Sequence, residues 1–223
     1  MNDWEIARKA ELLAAFRTSS EVPRKYRDAR LDSFVVSSDK QAAVLRVATE
    51  YAHRFQHRLA AGVCMTFCGP PGTGKTMLAC AVINAVISAG NRAKYTTLAG
   101  AQRALRATWN RAAETTEAQV LASFVVPALL AIDEAGTGGT DAERSTLFEL
   151  IDARYSAGKP TLVVTNSTPK LLHEALGVRV VDRLREAGGP VVGFAWESVR
   201  SKVDRSAVPE EPPISQWHQR SEA

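Results

Sequence analysis

The chain has 223 residues, of which 45% are hydrophobic and 23% charged, with 14 glycines and 10 prolines. These are ordinary globular proportions, so a collagen-like or wholly disordered chain is excluded, and the length suffices for one large domain with a buried core. The net charge of +4 is a mild basic excess, too weak by itself to indicate nucleic acid.

No apolar run approaches the roughly 20 residues of a membrane span; the longest, Phe124 to Ile132, is interrupted by Pro127. The opening Met1-Asn2-Asp3-Trp4-Glu5 lacks the basic-then-apolar order of a secretory signal. Three cysteines, an odd number in a chain this long, argue against a disulfide framework and for a reducing compartment, so a cytoplasmic location is expected. Cys64 and Cys68 have no second pair and no neighbouring His to complete a metal site, and read as packing residues of a strand.

In chain order, Asp3 to Arg17 carries Trp4, Leu12, Leu13 and Phe16 near helical spacing, and Ser19-Ser20 followed by Val22-Pro23 ends it. The basic stretch Arg24-Lys25-Tyr26-Arg27 leads into Leu31-Asp32-Ser33-Phe34. Ser38-Asp39 then caps a long helical pattern over 40–59. From Val63 onward the rhythm changes to short apolar runs, at 63–68, 93–97, 128–132, 161–165 and 190–195, bounded by Gly, Pro or Asn. Such runs suit buried parallel strands. Helical patterns over 75–88, 98–113, 116–123, 141–156 and 171–187 separate them. The expected fold is α/β, a five-stranded parallel sheet with helices on both faces. The tail from Lys202, with Pro209, Pro212, Pro213 and two glutamates, has the composition of an unstructured segment.

Gly69-Pro70-Pro71-Gly72-Thr73-Gly74-Lys75-Thr76 fits G-x-x-x-x-G-K-[ST] in full, after a strand and opening a helix. In that context the glycines let backbone N–H groups wrap phosphates, and the helix N-terminus adds positive potential. Lys75 supplies a mobile charge to the β- and γ-phosphates, and the Thr76 hydroxyl can ligate Mg²⁺. Leu129-Leu130-Ala131-Ile132 delivers Asp133 and Glu134 at the C-terminal end of a strand, beside that loop. Asp133 is the expected Mg²⁺ ligand and Glu134 the base that activates water for attack on the γ-phosphorus. A small-molecule kinase would not need the second acid. Asn166 follows the fourth apolar run, where its amide can bond the attacking water or the γ-phosphate. The order of phosphate loop, Asp-Glu and Asn is that of a AAA+ ATPase, with a three-layer αβα core.

Between Met77 and Val126 the only acids are Glu114 and Glu117, against Arg92, Lys94, Arg103, Arg106 and Arg111. That distribution suits a phosphate-tracking surface. Arg106 and Trp109, three apart on one helical pattern, suit stacking on single-stranded DNA with a phosphate contact; a core Trp is the alternative.

With these residues in place, the sequence resembles the DnaC/IstB branch of AAA+ proteins, and within it the DnaC-type replicative helicase loaders, from about Val22 to Val203. The residues that carry the resemblance are Pro23 to Phe34, Gly69 to Thr76, Ile132 to Gly136, Thr165-Asn166-Ser167, Gly177 to Arg185 and Phe194 to Lys202. The resemblance implies an ATPase that loads a hexameric replicative helicase onto single-stranded DNA, as a homo-oligomer in its ATP state, away from membranes. An IstB-like, ATP-switched helper of transposition is the alternative.

It also assigns roles. Arg179 and Arg183, on one helix face, become arginine fingers towards a neighbouring subunit, with Arg183 preferred. Arg200 becomes the sensor arginine of its own subunit. Phe34 and its neighbours pack near the base, and the ATP contacts run from Gly69 through Pro70, Pro71, Gly72, Thr73, Gly74, Lys75 and Thr76 to Met77. Apart from the resemblance, the apolar residues of 1–20 call for an amphipathic helix that docks, on a partner helicase or, as the alternative, on its own core; 21–203 are expected to be the ATPase domain and 204–223 the unstructured tail. Loaders usually carry a longer helicase-binding segment before the Pro23-like stretch, and AAA+ proteins a helical lid after the fifth strand; neither is expected here.

Overall fold

The computed structural model describes residues 2–110 and 112–199; Arg200 and the Pro-rich tail lie outside them. Five strands form one parallel sheet, β1 (Met65–Cys68), β2 (Ala93–Thr97), β3 (Leu129–Asp133), β4 (Thr161–Thr165) and β5 (Val191–Gly193), in the order β2-β3-β4-β1-β5. The register pairs Thr66 with Val163 on one side and with Val191 on the other, and Thr96 with Ile132. The chain leaves β1 towards β2 and leaves the adjacent β4 in the opposite direction towards β5, so the switch point lies between the C-terminal ends of β1 and β4, where open α/β sheets place a ligand.

Strand alternation divides the interior in two. Met65, Phe67, Leu129, Ala131, Leu162 and Val164 face one core, completed by helices α2 (Asp39–His53) and α4 (Lys75–Ser88). Cys68, Leu130, Ile132 and Val163 face the other, completed by α5 (Leu98–Ala107), α7 (Asp141–Ser156), α8 (Leu172–Leu176) and α9 (Val178–Arg185). Side chains two apart point the same way, so the consecutive apolar residues Leu129 to Ile132 and Leu162 to Val164 bury both faces of the central strands. Each fully buried large side chain contributes about 1.5–3 kcal/mol. α4 is the central helix, buried over most of its length from Lys75 to Ile87.

The five strands and the helices at 75–88 and 141–156 stand where the residue pattern puts them, within two residues at strand ends. Three long patterns are shorter than expected. The 40–59 pattern breaks at Arg54 into α2 and α3 (Phe55–Ala60), which lets Phe55 be buried beside Tyr51, ring centroids 6.2 Å apart. The 98–113 pattern ends at Ala107, where the Thr108 hydroxyl donates to the Leu105 carbonyl at 2.6 Å; such side-chain bonds compete with helix continuation. The 171–187 pattern is split by Gly177 at φ 89° into α8 and α9. Among the described residues no helix follows β5.

α1 (Asp3–Ser19) opens with a capping box between Asn2 and Glu5. Its second half belongs to the core: Leu13 and Phe16 pack on the first cluster, and the Ser20 carbonyl accepts the Tyr95 N–H at 2.7 Å. Its first half is different, with Trp4 and Ile6 exposed.

Candidate nucleotide site

The phosphate loop connects β1 to α4, and its shape follows from its glycines. Gly69, Gly72 and Gly74 all have positive φ, 139°, 79° and 96°, where a side chain is strained. A Cβ on Gly74 would also stand 3.0 Å from the Phe34 ring. The Thr73 hydroxyl donates to the Pro70 carbonyl at 2.9 Å and closes the turn. Lys75 Nζ, largely buried, donates to the carbonyls of Gly69 and Pro70 at 2.7 and 2.6 Å.

The loop borders a cavity of about 630 Å³ lined also by Phe34, Met77, Asp133, Glu134 and Asn166. Three separate strand ends thus bring together the residues singled out in sequence. Asp133 is buried at the end of β3, its Oδ1 accepting the Glu134 N–H at 2.7 Å and its Oδ2 the Tyr95 hydroxyl at 2.8 Å. Burial, and then the Asp133 carboxylate, push the Tyr95 phenol up, so it stays a donor at neutral pH. Glu134 stands at φ 59° with its side chain exposed. Asn166, just after β4, is exposed as well.

The donor set fits Mg²⁺ on a nucleotide. Among the described residues no three His, Cys, Asp or Glu side chains group as a metal site, but Mg²⁺ takes one or two protein oxygens and leaves the rest to phosphates and water. Asp133 and Thr76, both lining the cavity, can supply them. The three cysteines are buried and unpaired. Burial pushes Cys68 up to about 11 and Cys80 to about 12, which keeps them as packing thiols.

Sequence reasoning missed several residues here. Lys25, Ser37 and Gln41 line the same cavity from the segments before and at the start of α2, beside Ser33 and Val35, the expected neighbours of Phe34. Tyr95 was also hidden, because its partner lies across the sheet. From the other end of the chain, Trp196 Nε1 donates to the Thr73 carbonyl at 3.1 Å and the Val199 N–H to the Gly72 carbonyl at 2.9 Å.

The arginines separate. Arg183, on α9 and preferred in sequence as the outward finger, packs its side chain against α7 of its own chain. It pairs with Asp152, and its guanidinium sits 4.8 Å from the Phe148 ring centroid and 5.3 Å from that of Tyr155. An acid and two rings on α7 outcompete solvent for this cation. Arg179, one turn earlier, is exposed. Arg200 falls outside the described residues. Trp109 lies in the turn beyond α5 rather than on it, its N–H bonded to the Arg106 carbonyl at 3.1 Å. It is 71% exposed, so it is not a core residue, and its indole N–H donates to Glu117 Oε2 at 3.3 Å. Arg106 is exposed nearby.

Comparison with known proteins adds to this geometry. The profile of a family described as IstB-like ATP binding protein matches residues 33–206. The replicative helicase loader DnaC of Escherichia coli K12 is 32% identical over 179 residues, 80% of this chain and 71% of the relative. DnaC of Buchnera aphidicola subsp. Acyrthosiphon pisum is 30% identical over 82% of this chain and 74% of its own. Among solved structures, that of a DnaC helicase loader superposes with a TM-score of 0.65 at 23% identity, covering 77% of this chain and 99% of that one. DnaI superposes at 0.64 and 17% identity, covering 78% and 94%. These two likenesses concern the fold.

Proposed function

Because the chain belongs to the family of IstB-like ATP-binding proteins, with DnaC loaders as relatives over four-fifths of its length, we propose that it is an ATPase that loads a hexameric replicative helicase onto single-stranded DNA in the cytoplasm. The observation that carries the reading is one cavity lined by Pro71 to Thr76 of the phosphate loop, the Asp133-Glu134 pair and Asn166, within a chain whose curated relatives are named replicative helicase loaders. Transposition help, the activity suggested by the IstB side of the family, has less support among those relatives.

In this reading the backbone N–H groups of 72–76 and Lys75 hold the β- and γ-phosphates, with Met77 and Phe34 towards the nucleoside. Thr76 and Asp133 hold Mg²⁺, which when bound neutralises phosphate charge. Asp133 is kept in one orientation by Tyr95. Glu134 takes the proton of the attacking water, and Asn166 fixes that water's position. ATP bound between subunits of a homo-oligomer then meets an arginine from the neighbour. Arg179 is the better candidate for that part, since Arg183 is engaged on α7; Arg200 contacts phosphate in its own subunit.

The direct test is co-purification with candidate hexameric helicases, with and without ATP. Retention of the helicase supports loading. Preference for duplex DNA and a transposase, with no helicase retained, would overturn it.

Helicase docking is assigned to the first half of α1, where Trp4, at 66% exposure, and the exposed Ile6 offer apolar surface to a groove. Removing residues 1–11 is expected to abolish helicase binding while leaving ATP binding and the melting temperature near wild type, since Leu13, Phe16 and Ser20 remain. A large loss of thermal stability in a scan of that truncation would place the whole helix in the core. The DNA contact is assigned to Arg106 and Trp109. Trp109→Ala is expected to weaken single-strand binding by about 1–3 kcal/mol, the worth of one stacked base, without lowering stability. Fluorescence anisotropy with a labelled oligonucleotide measures it, and affinity should fall as salt rises.

A further inference from the structure

The segment after β5 holds the phosphate loop through two of its carbonyls. The Phe194 N–H donates to the Cys68 carbonyl at 2.7 Å and continues the β1–β5 pairing up to the loop. The Val199 N–H and the Trp196 indole then take the carbonyls of Gly72 and Thr73. The fit is close: a Cβ on Gly72 would run into the Ser198 hydroxyl and come within 2.9 Å of Ser198 Cβ. The Trp196 ring is fixed in turn by Phe194, centroids 5.0 Å apart, and by the edge of Phe34 at 6.5 Å. Trp196 is not one of the residues that line the cavity, whereas Thr73 and Gly74 are.

The geometry of a trans peptide gives these contacts a consequence. Its C=O and N–H point in opposite directions in one plane. Fixing the Gly72 carbonyl therefore aims the Thr73 N–H the other way, and fixing the Thr73 carbonyl does the same for the Gly74 N–H. Glycines at positive φ are flexible enough to let these planes rotate. A nest of N–H groups binds phosphate well only when its members already converge, because ordering them costs affinity.

We infer that Trp196 and the Val199 backbone are positioning groups for phosphate binding: they hold the Gly72 and Thr73 carbonyls so that the next two N–H groups face the nucleotide phosphates. This rests on the ATP-binding reading above. It also makes the chain leaving β5 a mechanical extension of the loop, so phosphate occupancy and the placement of residues 196–199 are one equilibrium.

The test is equilibrium binding of ATP, ADP and AMP to the full chain and to Trp196→Phe, which keeps a ring against Phe194 and Phe34 but removes the N–H. The expected result is about fivefold weaker ATP and ADP binding, in line with one neutral hydrogen bond, with AMP affinity and melting temperature unchanged. Equal weakening for all three nucleotides would overturn the inference, because the ring would then act through the base. Unchanged ATP affinity would overturn it too. Should Trp196→Phe fail to fold, Val199→Pro removes the second donor, with Val199→Ala as the control that trims the side chain on the cavity and keeps the N–H; Val199→Pro must show the same phosphate-dependent loss and Val199→Ala must not, or the inference falls. A wild-type chain that binds no ATP would instead overturn the reading beneath it.

Discussion

Glu134→Gln is expected to bind ATP as the wild type does and to hydrolyse it about 10²–10⁴-fold more slowly, the range supplied by one positioned general base. The two acids at the end of β3 differ in mobility and so in role. Asp133 is buried and bonded through both oxygens, to Tyr95 and to the next N–H. It suits a fixed ligand. Among the described residues, Glu134 is held through its backbone, with its N–H on Asp133 and its carbonyl accepting the Thr137 hydroxyl at 2.7 Å. Its carboxylate remains free to reach water in the cavity. The amide isostere keeps size and polarity but accepts no proton at neutral pH. Lys75→Ala, by contrast, is expected to lose binding itself, because the charge that faces the phosphates goes. Phosphate release under saturating ATP, read beside equilibrium nucleotide binding, separates the two variants. A Glu134→Gln chain that turns over ATP at the wild-type rate would refute the assignment.

The second large effect lies far from the nucleotide. Arg154→Ala is expected to cost about 3–5 kcal/mol, because it leaves several buried neutral acceptors without their donor. Arg154 is 0% exposed near the end of α7. Its guanidinium donates to the carbonyls of Phe124, Val125, Pro127, Ala128 and Pro160, between 2.6 and 3.4 Å, and to the Thr161 hydroxyl at 3.0 Å. The first two are orphan carbonyls at the end of α6 (Glu117–Val125), and the others flank the entries to β3 and β4. Burial lowers its pKa to about 10, which still leaves it charged at neutral pH. Removing it strands several buried acceptors at once, each costing about 1–3 kcal/mol if no water reaches it. A domain holding a typical 5–15 kcal/mol has little margin for that. Arg154→Lys is expected to recover only part, since an ammonium lacks the planar fork that reaches five carbonyls. Urea denaturation followed by circular dichroism measures both, and a loss for Arg154→Ala below about 1 kcal/mol would exclude this role.

The sequence by itself determined the strand-helix order, the phosphate loop and the acids at the end of β3, because those signals are local. Apolar runs of five residues, Gly74 before Lys75, and Asp133 after Ile132 each state their structure within a few positions. The residues 33–206 that match the family also carry the ATP-binding function in a continuous motif set. Tertiary structure decided the rest. Tyr95 meets Asp133 only through the β2–β3 pairing. Trp196 reaches Thr73 across more than half the chain. Arg183 shares a helix face with Arg179, yet Asp152, Phe148 and Tyr155 on α7 hold it in its own subunit while Arg179 stays exposed. Arg154 reads as a helix-end charge until the sheet closes five carbonyls around it. In each case the deciding partner is distant along the chain, and desolvation makes the buried polar group take the partner that the fold supplies.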